Sequence, residues 1–426
     1  AFLQHDLDAS PIFPRHEVPL YGRSRFATDP ALTQRLADAV RQALPDAGLH
    51  RGLIVSGDRF VATTAEARAL QAELPDALAV EMEGAAPAPV PAAITRYVAI
   101  DNVCAWPMLV TLPDGSFAAV IFNRPSHGQI EGDVECWVSR DGAFWEKRGH
   151  PAPNEPHTVR MNIAAGLARN GDLLVLCSGW TDVKQPERPK QAAFRDAVLP
   201  IWVCRSADGG RTWTQHRQFP ANEGGWMPFI PFGPILVGAD GALHVSCYAG
   251  EFADPAKSTK TKGWRAWHFR SDDDGRTWRR TSVIGPTHNE TAIFHLGGRD
   301  WLAAARTDAM EIFRSTDDGQ TWGEMVRVTE RNEINGHLAR LRDGRLLLSY
   351  GNRVAGQFGV MAKFSGDEGR TWGAPVRLAR SLEQDCGYPS SVQRADGKIV
   401  TVYYAKRVEN HDRYHMGAAI WEAPAK

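Results

Sequence analysis

The chain has no surplus of charge, no long apolar run and few cysteines. Its 426 residues carry 49 Lys and Arg against 50 Asp and Glu, a net charge of −1. It therefore lacks the basic footprint that a phosphate backbone demands, and no nucleic-acid partner is expected. No apolar stretch approaches the ~20 residues that cross a bilayer. The first residues show no charged start followed by an apolar run, so neither a membrane span nor a signal peptide is expected. Six cysteines (Cys104, Cys136, Cys177, Cys204, Cys247 and Cys386) form no Cys-x-x-Cys pair, and most lie inside strand-like runs. Buried free thiols are expected rather than a disulfide framework or a metal set. His127, His157, His288 and His337 follow no ligand spacing, so no metal and no other cofactor is expected. The sequence specifies neither an oligomeric state nor a compartment.

What is present is repetition. Ser206-Ala-Asp208-Gly-Gly210-Arg-Thr212-Trp213 returns as Ser271-Asp-Asp273-Asp-Gly275-Arg-Thr277-Trp278. It returns again as Ser315-Thr-Asp317-Asp-Gly319-Gln-Thr321-Trp322 and as Ser365-Gly-Asp367-Glu-Gly369-Arg-Thr371-Trp372. Ser139-Arg-Asp141-Gly-Ala143-Phe-Trp145 is a shorter, degenerate copy. Each follows a short apolar run and precedes another. The Asp carboxylate can accept turn amides, Gly takes positive φ, and Trp plugs the gap beneath. Calcium loops are the rival reading, but Ser271-Asp-Asp-Asp-Gly lacks the alternating ligand spacing and the later bidentate Glu.

A second signal precedes each box: an apolar strand, an X-Gly turn and another apolar strand. The turns are Asp114-Gly115, Asn170-Gly171, Asp240-Gly241, Gly297-Gly298, Asp343-Gly344 and Asp396-Gly397. Six hairpins, five boxes and one last strand, Gly417–Trp421, predict six four-stranded units. Thr95–Ile100 is placed to supply the missing outer strand of the last, since an unclosed array keeps an exposed edge. The expected fold is an all-β six-bladed β-propeller over residues 94–426, with a small N-terminal α/β segment.

That segment, residues 1–88, reads differently. Ala31–Leu44 and Thr64–Leu74 have helical patterning, Arg51–Val55 and Ala77–Val80 read as strands, and a Pro/Ala linker runs to about residue 93. Val55-Ser-Gly-Asp-Arg-Phe60 and Ala79-Val-Glu-Met-Glu-Gly84 resemble the methylthioadenosine/S-adenosylhomocysteine nucleosidase family. The resemblance implies that Phe60 stacks on a purine and that Met82 and Glu83 contact a ribose. The family's catalytic Glu and its purine-protonating Asp have no counterpart, so a vestigial segment is expected. Half a parallel sheet leaves an open edge and a poor core, so loose packing or dependence on a partner is expected.

The boxes resemble the Asp-box, or BNR, repeat of the sialidase superfamily, where they are structural. The resemblance implies a retaining exo-glycosidase acting on the terminal sugar of a glycan, acidic sugars included. A cationic clamp would repel a carboxylate nucleophile as it holds a substrate carboxylate, so a Tyr activated by a Glu takes the nucleophile's place. Asn289-Glu290-Thr and Leu302-Ala-Ala-Ala-Arg306 resemble the strand pair bearing the activating Glu and one clamp Arg. Cys386-Gly-Tyr388-Pro-Ser-Ser391 resembles the nucleophile segment. By the same resemblance Arg353 is a second clamp residue, and Asp133, with Glu131 as its substitute, is the acid/base in the loop 123–133. Where the superfamily carries Arg-Ile-Pro, this chain has Ala105-Trp106-Pro107, so Arg124 or Arg160 would complete the clamp, and Arg340, which opens the same unit as Arg353, is a further substrate-binding candidate. The alternatives are a non-catalytic propeller that binds glycans on the same face, and a residual nucleosidase activity of the N-terminal segment.

Overall fold

A computed structural model describes residues 2–4, 10, 12, 14–18, 23–44, 49–56, 64–81, 94–183, 197–254 and 261–425. The chain divides into two compact units, Ala1–Ala88 and Pro89–Lys426. The first has a parallel three-stranded sheet, Phe2–Gln4, Leu53–Ser56 and Ala77–Glu81, with the helices Pro30–Ala43 and Thr64–Glu73. Asp29 caps the first helix by accepting from the Leu32 amide at 2.7 Å, and Pro30 stands in its first turn. The predicted α/β alternation is present, with the extra strand Phe2–Gln4. Phe60, Met82 and Glu83 and the Pro/Ala linker to residue 93 lie outside the described residues.

The second unit is all β. Four separate antiparallel sheets have four strands each, and an eight-stranded sheet consists of two such sets. The sets join where Thr158–Leu167 pairs in parallel with Ile230–Val237, Ala165 facing Pro234. This junction has no counterpart in the sequence reading. It needs Gly166, since a Cβ there would fall 2.0 Å from the Ile235 carbonyl oxygen. Thr95–Asp101 pairs antiparallel with His415–Trp421 and completes the last sheet, as its position anticipates.

Within the four-stranded sets the second strands are the most buried and the fourth the most exposed. Leu346–Asn352, a second strand, is buried throughout, whereas Gly323–Arg327, a fourth strand, is exposed throughout. Apolar clusters lie between successive sheets: Met108, Val120 and Cys136 pack with Ile163, Val175 and Cys204 of the next. Strands buried on both faces explain the nearly continuous apolar runs. All six cysteines are free and buried.

The boxes follow the third strands. In the second copy the Asp273 carboxylate accepts from the Thr277 amide at 2.8 Å, the Thr277 hydroxyl at 2.6 Å and the Ser271 hydroxyl at 2.8 Å. The Trp278 indole donates to the Gly275 carbonyl at 3.2 Å. Asp208 and Asp367 have the same pattern. One copy departs: the Trp322 indole donates to the Ser282 hydroxyl, which in turn donates to the Gly319 carbonyl. Registers place the boxes at the ends of the sheets that carry the X-Gly turns: Ser365 faces Leu346, next to the Asp343-Gly344 turn, while Gly359 and Asn352 pair at the other end.

Candidate active site

The candidate residues gather at the ends opposite the boxes. Glu290 immediately precedes Thr291–Gly297, and Arg306 ends Asp300–Arg306, its carbonyl accepting from the Asn289 amide. Tyr388 lies in Cys386–Gln393, where the register to Ile399–Ala405 slips between Gly387 and Ser390. Its φ is +49°, a conformation that non-glycine residues rarely adopt. Asn335 repeats this arrangement in the neighbouring sheet, with φ +63° and a register slip between Ile334 and His337. Bulges re-aim side chains, and both of these turn toward Glu290. Gly387 is required beside Tyr388: its φ is +112°, and a Cβ would fall 2.9 Å from the Gly351 Cα.

The Tyr388 hydroxyl donates to Glu290 Oε1 at 2.7 Å and accepts from Arg306 Nη1 at 3.1 Å. Arg306 also pairs with Glu290 Oε2, and Asn335 Nδ2 donates to that oxygen at 2.8 Å. Burial and the Glu290 charge push the Tyr388 phenol well up, against a smaller opposing pull from Arg306 and Arg353. Burial opposes the Arg306 charge, but Glu290 and Tyr388 outweigh it and hold the guanidinium firmly protonated. Arg306 Nε, Asn335 Oδ1 and Trp106 Nε1 are buried with no hydrogen-bond partner. Such atoms cost free energy unless something meets them.

Arg353 stands beside this group, its guanidinium 5.7 Å from the Tyr388 ring centre. It donates to the Tyr404 hydroxyl at 2.7 Å and the Cys386 carbonyl at 3.0 Å, and faces Asp385 at 3.4 Å. Asp385 accepts from Tyr404 at 2.5 Å and Tyr414 at 2.6 Å, with His127 Nδ1 at 3.5 Å. Burial would raise the Asp385 carboxyl, but the bonds from His127, Tyr404 and Tyr414 prevail and hold it well below the usual range. Trp106 closes one side, its ring 5.4 Å from Tyr388 and 4.9 Å from His127.

The other predicted residues bond to groups outside this set. Asp133 precedes the third strand of its sheet, Val134–Ser139, two strands out from Met108–Thr111, a step of roughly 10 Å. Its Oδ1 accepts from the Asn154 amide at 2.6 Å, and Oδ2 is 3.8 Å from His150. Its substitute Glu131 is exposed. Arg124 donates to the Glu131 carbonyl. Arg160 is buried against Trp202, 3.8 Å from the ring centre, and donates to Glu155 at 2.9 Å. Arg340 faces Leu346 beside the Asp343-Gly344 turn, so it occupies the box end of its strand. A cavity of about 620 Å³ opens there, lined by Arg340, Arg342 and apolar strand residues, and Tyr388 is not part of its lining. The structure thus unites Tyr388, Glu290, Arg306 and Arg353, whereas the contacts described for Asp133, Arg124, Arg160 and Arg340 are made outside that group.

The histidines weighed as metal ligands are dispersed: His157 faces Asp182, His288 faces Glu311, and His337 accepts from the Ser391 amide. Among the described residues Asp240, His244 and Asp318 come close enough to share an ion. Arg270 pairs with both of those carboxylates, so their charge is already met. Asn335, Asp385, Tyr404 and Tyr414 went unassigned in the sequence, and His127 was weighed only as a metal ligand. Asp385 is adjacent to the nucleophile segment and was the nearest to a readable signal.

The all-β unit, with its buried Tyr-Glu-Arg group at one end, has a fold similar to that of solved sialidase structures. Solved structures agree on the fold. A protein of unknown function from Dyadobacter fermentans superposes with a TM-score of 0.66 at 20% identity, covering 78% of this chain and 99% of that one. A Hadza microbial sialidase gives 0.58 at 18% identity, covering 77% and 65%. A Trypanosoma rangeli sialidase in complex with the inhibitor DANA gives 0.55 at 17%, covering 75% and 55%. Residues 115–401 match the model of the BNR repeat-like domain, and the chain belongs to that family. A curated sialidase of Micromonospora viridifaciens is 30% identical over 138 residues, which are 30% of this chain and 20% of the relative's length. Residues 1–92 match the phosphorylase superfamily model, in line with the nucleosidase-like reading. No described helix is long and apolar enough to cross a membrane.

Proposed function

We propose that residues 94–426 form a six-bladed propeller and act as a sialidase-like retaining exo-glycosidase on the terminal sugar of a glycan. Support for six blades comes from the cavity at the box end, whose lining draws on one strand from each of six four-stranded sets. Support for the activity comes above all from one observation: the Tyr388 hydroxyl is held between a carboxylate that can take its proton and a guanidinium that can stabilise the oxyanion. A phenol pushed up by burial is a weak nucleophile until a base withdraws its proton as attack proceeds. Glu290 is that base, and Arg306 offsets the charge left on oxygen. A bound sugar would meet Arg306 Nε and Asn335 Oδ1, one a donor and the other an acceptor. Arg306 and Arg353 each already face a carboxylate. The clamp is therefore weaker than three arginines would make it, and acidic and neutral sugars both belong in the test.

A screen of 4-nitrophenyl glycosides, N-acetylneuraminic acid first, tests the reading. Turnover that Tyr388→Phe abolishes while the protein stays folded is the expected result. If the wild type turns over no glycoside, or Tyr388→Phe keeps its rate, the enzyme reading fails and a glycan-binding propeller replaces it.

A further inference from the structure

Tyr388 and Glu290 account for the nucleophile, but a retaining reaction also needs a group that protonates the leaving oxygen and later deprotonates water. Among the described residues that touch the site, the carboxylates are poorly suited. Glu290 is committed to Tyr388, Arg306 and Asn335. Asp385 holds three hydrogen-bonding partners and Arg353, which favour its ionised form. An acid kept ionised has no proton to give. Asp133 is bonded to the Asn154 amide, outside the group.

We propose that His127, oriented by Asp385, is the general acid/base of this site. His127 lies in the loop after the first hairpin, across Trp106 from Tyr388. Its Nδ1 faces Asp385 Oδ2 at 3.5 Å, and its side chain is 30% exposed. With Nδ1 turned to a carboxylate, Nε2 is the nitrogen left for proton transfer, and the carboxylate fixes the orientation of the ring. Asp385 is itself held by Tyr404 and Tyr414, so the ring is aimed by a built support rather than by a lone contact. It acts through His127 and is a positioning residue.

The proton count closes. In the first step the Tyr388 oxygen bonds to the anomeric carbon and its proton passes to Glu290. The bond from that carbon to the leaving oxygen breaks, and the imidazolium gives that oxygen its proton. In the second step the neutral imidazole takes a proton from water as water attacks the anomeric carbon. The bond to Tyr388 breaks, and its oxygen recovers the proton held by Glu290.

This assignment rests on the glycosidase reading, and the test separates the two. The full chain is assayed on the 4-nitrophenyl and methyl glycosides of the sugar that the screen selects. His127→Ala should lower kcat/KM on the methyl glycoside by about 10²–10⁴-fold. On the 4-nitrophenyl glycoside the loss should stay under about 10-fold, because nitrophenolate leaves without a proton. Azide, an anion that needs no base, should restore turnover of the nitrophenyl substrate by His127→Ala and yield the glycosyl azide. Asp385→Asn should shift the same leaving-group ratio by a smaller factor. Equal losses on both substrates with no azide product would make His127 structural and overturn the assignment. So would a selective loss that appears in Asp133→Asn instead. A wild type inactive on every glycoside would overturn the proposed function and this assignment with it.

Discussion

The two units of this chain bury their apolar residues very differently. The buried cluster described in the α/β unit is Leu3, Leu53, Val55 and Leu74. Leu32, Leu36 and Leu44 of its first helix region are 62%, 65% and 59% exposed, and Ala37 is the buried residue of that helix. In the β unit every interval between sheets is filled, and side chains as large as Trp301 and Trp421 reach 0% and 1% exposure. Among its described residues the first unit has regular elements around a small buried cluster. The second tolerates costly features, a positive-φ tyrosine and several buried polar atoms without partners, because dense packing around them holds the geometry. Secondary structure alone does not preorganise a site; the packing behind it does.

The hardest test of this contrast asks where the chemistry resides. Tyr388→Phe should lower kcat/KM by at least about 10³-fold, since the nucleophile is lost. Truncation to residues 94–426 should leave it within about 3-fold of the full chain, the scale of an indirect effect. Purified protein should release no purine from methylthioadenosine. Purine release, or loss of glycosidase turnover on truncation with the β unit still folded, would break the comparison.

A smaller effect probes packing directly. Trp301 is fully buried, stacks on His295, packs at a tilt against His244, and donates to Asp318 at 3.0 Å. Trp301→Ala should destabilise the β unit by about 3–5 kcal/mol. Leu36→Ala should move the stability of the α/β unit by no more than about 0.5 kcal/mol, because that side chain is mostly in water. Chemical denaturation followed by tryptophan fluorescence and far-UV circular dichroism reads both. A large loss from Leu36→Ala would mean that the exposed helix face is covered in solution.

What could be read from the sequence was what local chemistry writes. Box turns, X-Gly hairpins and strand order depend on residues a few positions apart, and they recur, so each copy checks the others. Tyr388, Glu290, Arg306 and Arg353 were legible through resemblance in short motifs, and strand ends put them at one end of the sheets. Asn335 and the support formed by Asp385, Tyr404, Tyr414 and His127 were not. Asp385 and Tyr414 are 29 positions apart, and His127 reaches Asp385 from the far part of the chain. Nothing local distinguishes such residues from surface polar groups. Arg340 misled for a related reason: its strand is right, but the register places it at the turn rather than at the mouth.

The smallest effect concerns the boxes, which the comparison assigns to support rather than chemistry. Burial would raise the Asp317 carboxyl, but the Thr321 hydroxyl and amide and the Ser315 hydroxyl outweigh it and bring it from 3.8 down to about 2. The turn lies near the surface, so the stability held there is discounted for solvent screening. Asp317→Ala should cost about 1 kcal/mol, or about 2 °C in Tm for a unit of this size. The sign with pH follows from the depressed value. A carboxylate favoured in the folded state contributes fully above its unfolded value near 3.8, and that contribution fades as pH falls through about 2. The Tm difference between wild type and Asp317→Ala should therefore be constant above about pH 5 and shrink below pH 4. Turnover at a temperature where both proteins are folded should be unchanged within about 2-fold, since the boxes stand at the opposite end of the sheets from Tyr388. A folded Asp317→Ala protein that loses most of its turnover would show that the box end and the tyrosine end are not separable, and that the strands between them transmit more than support.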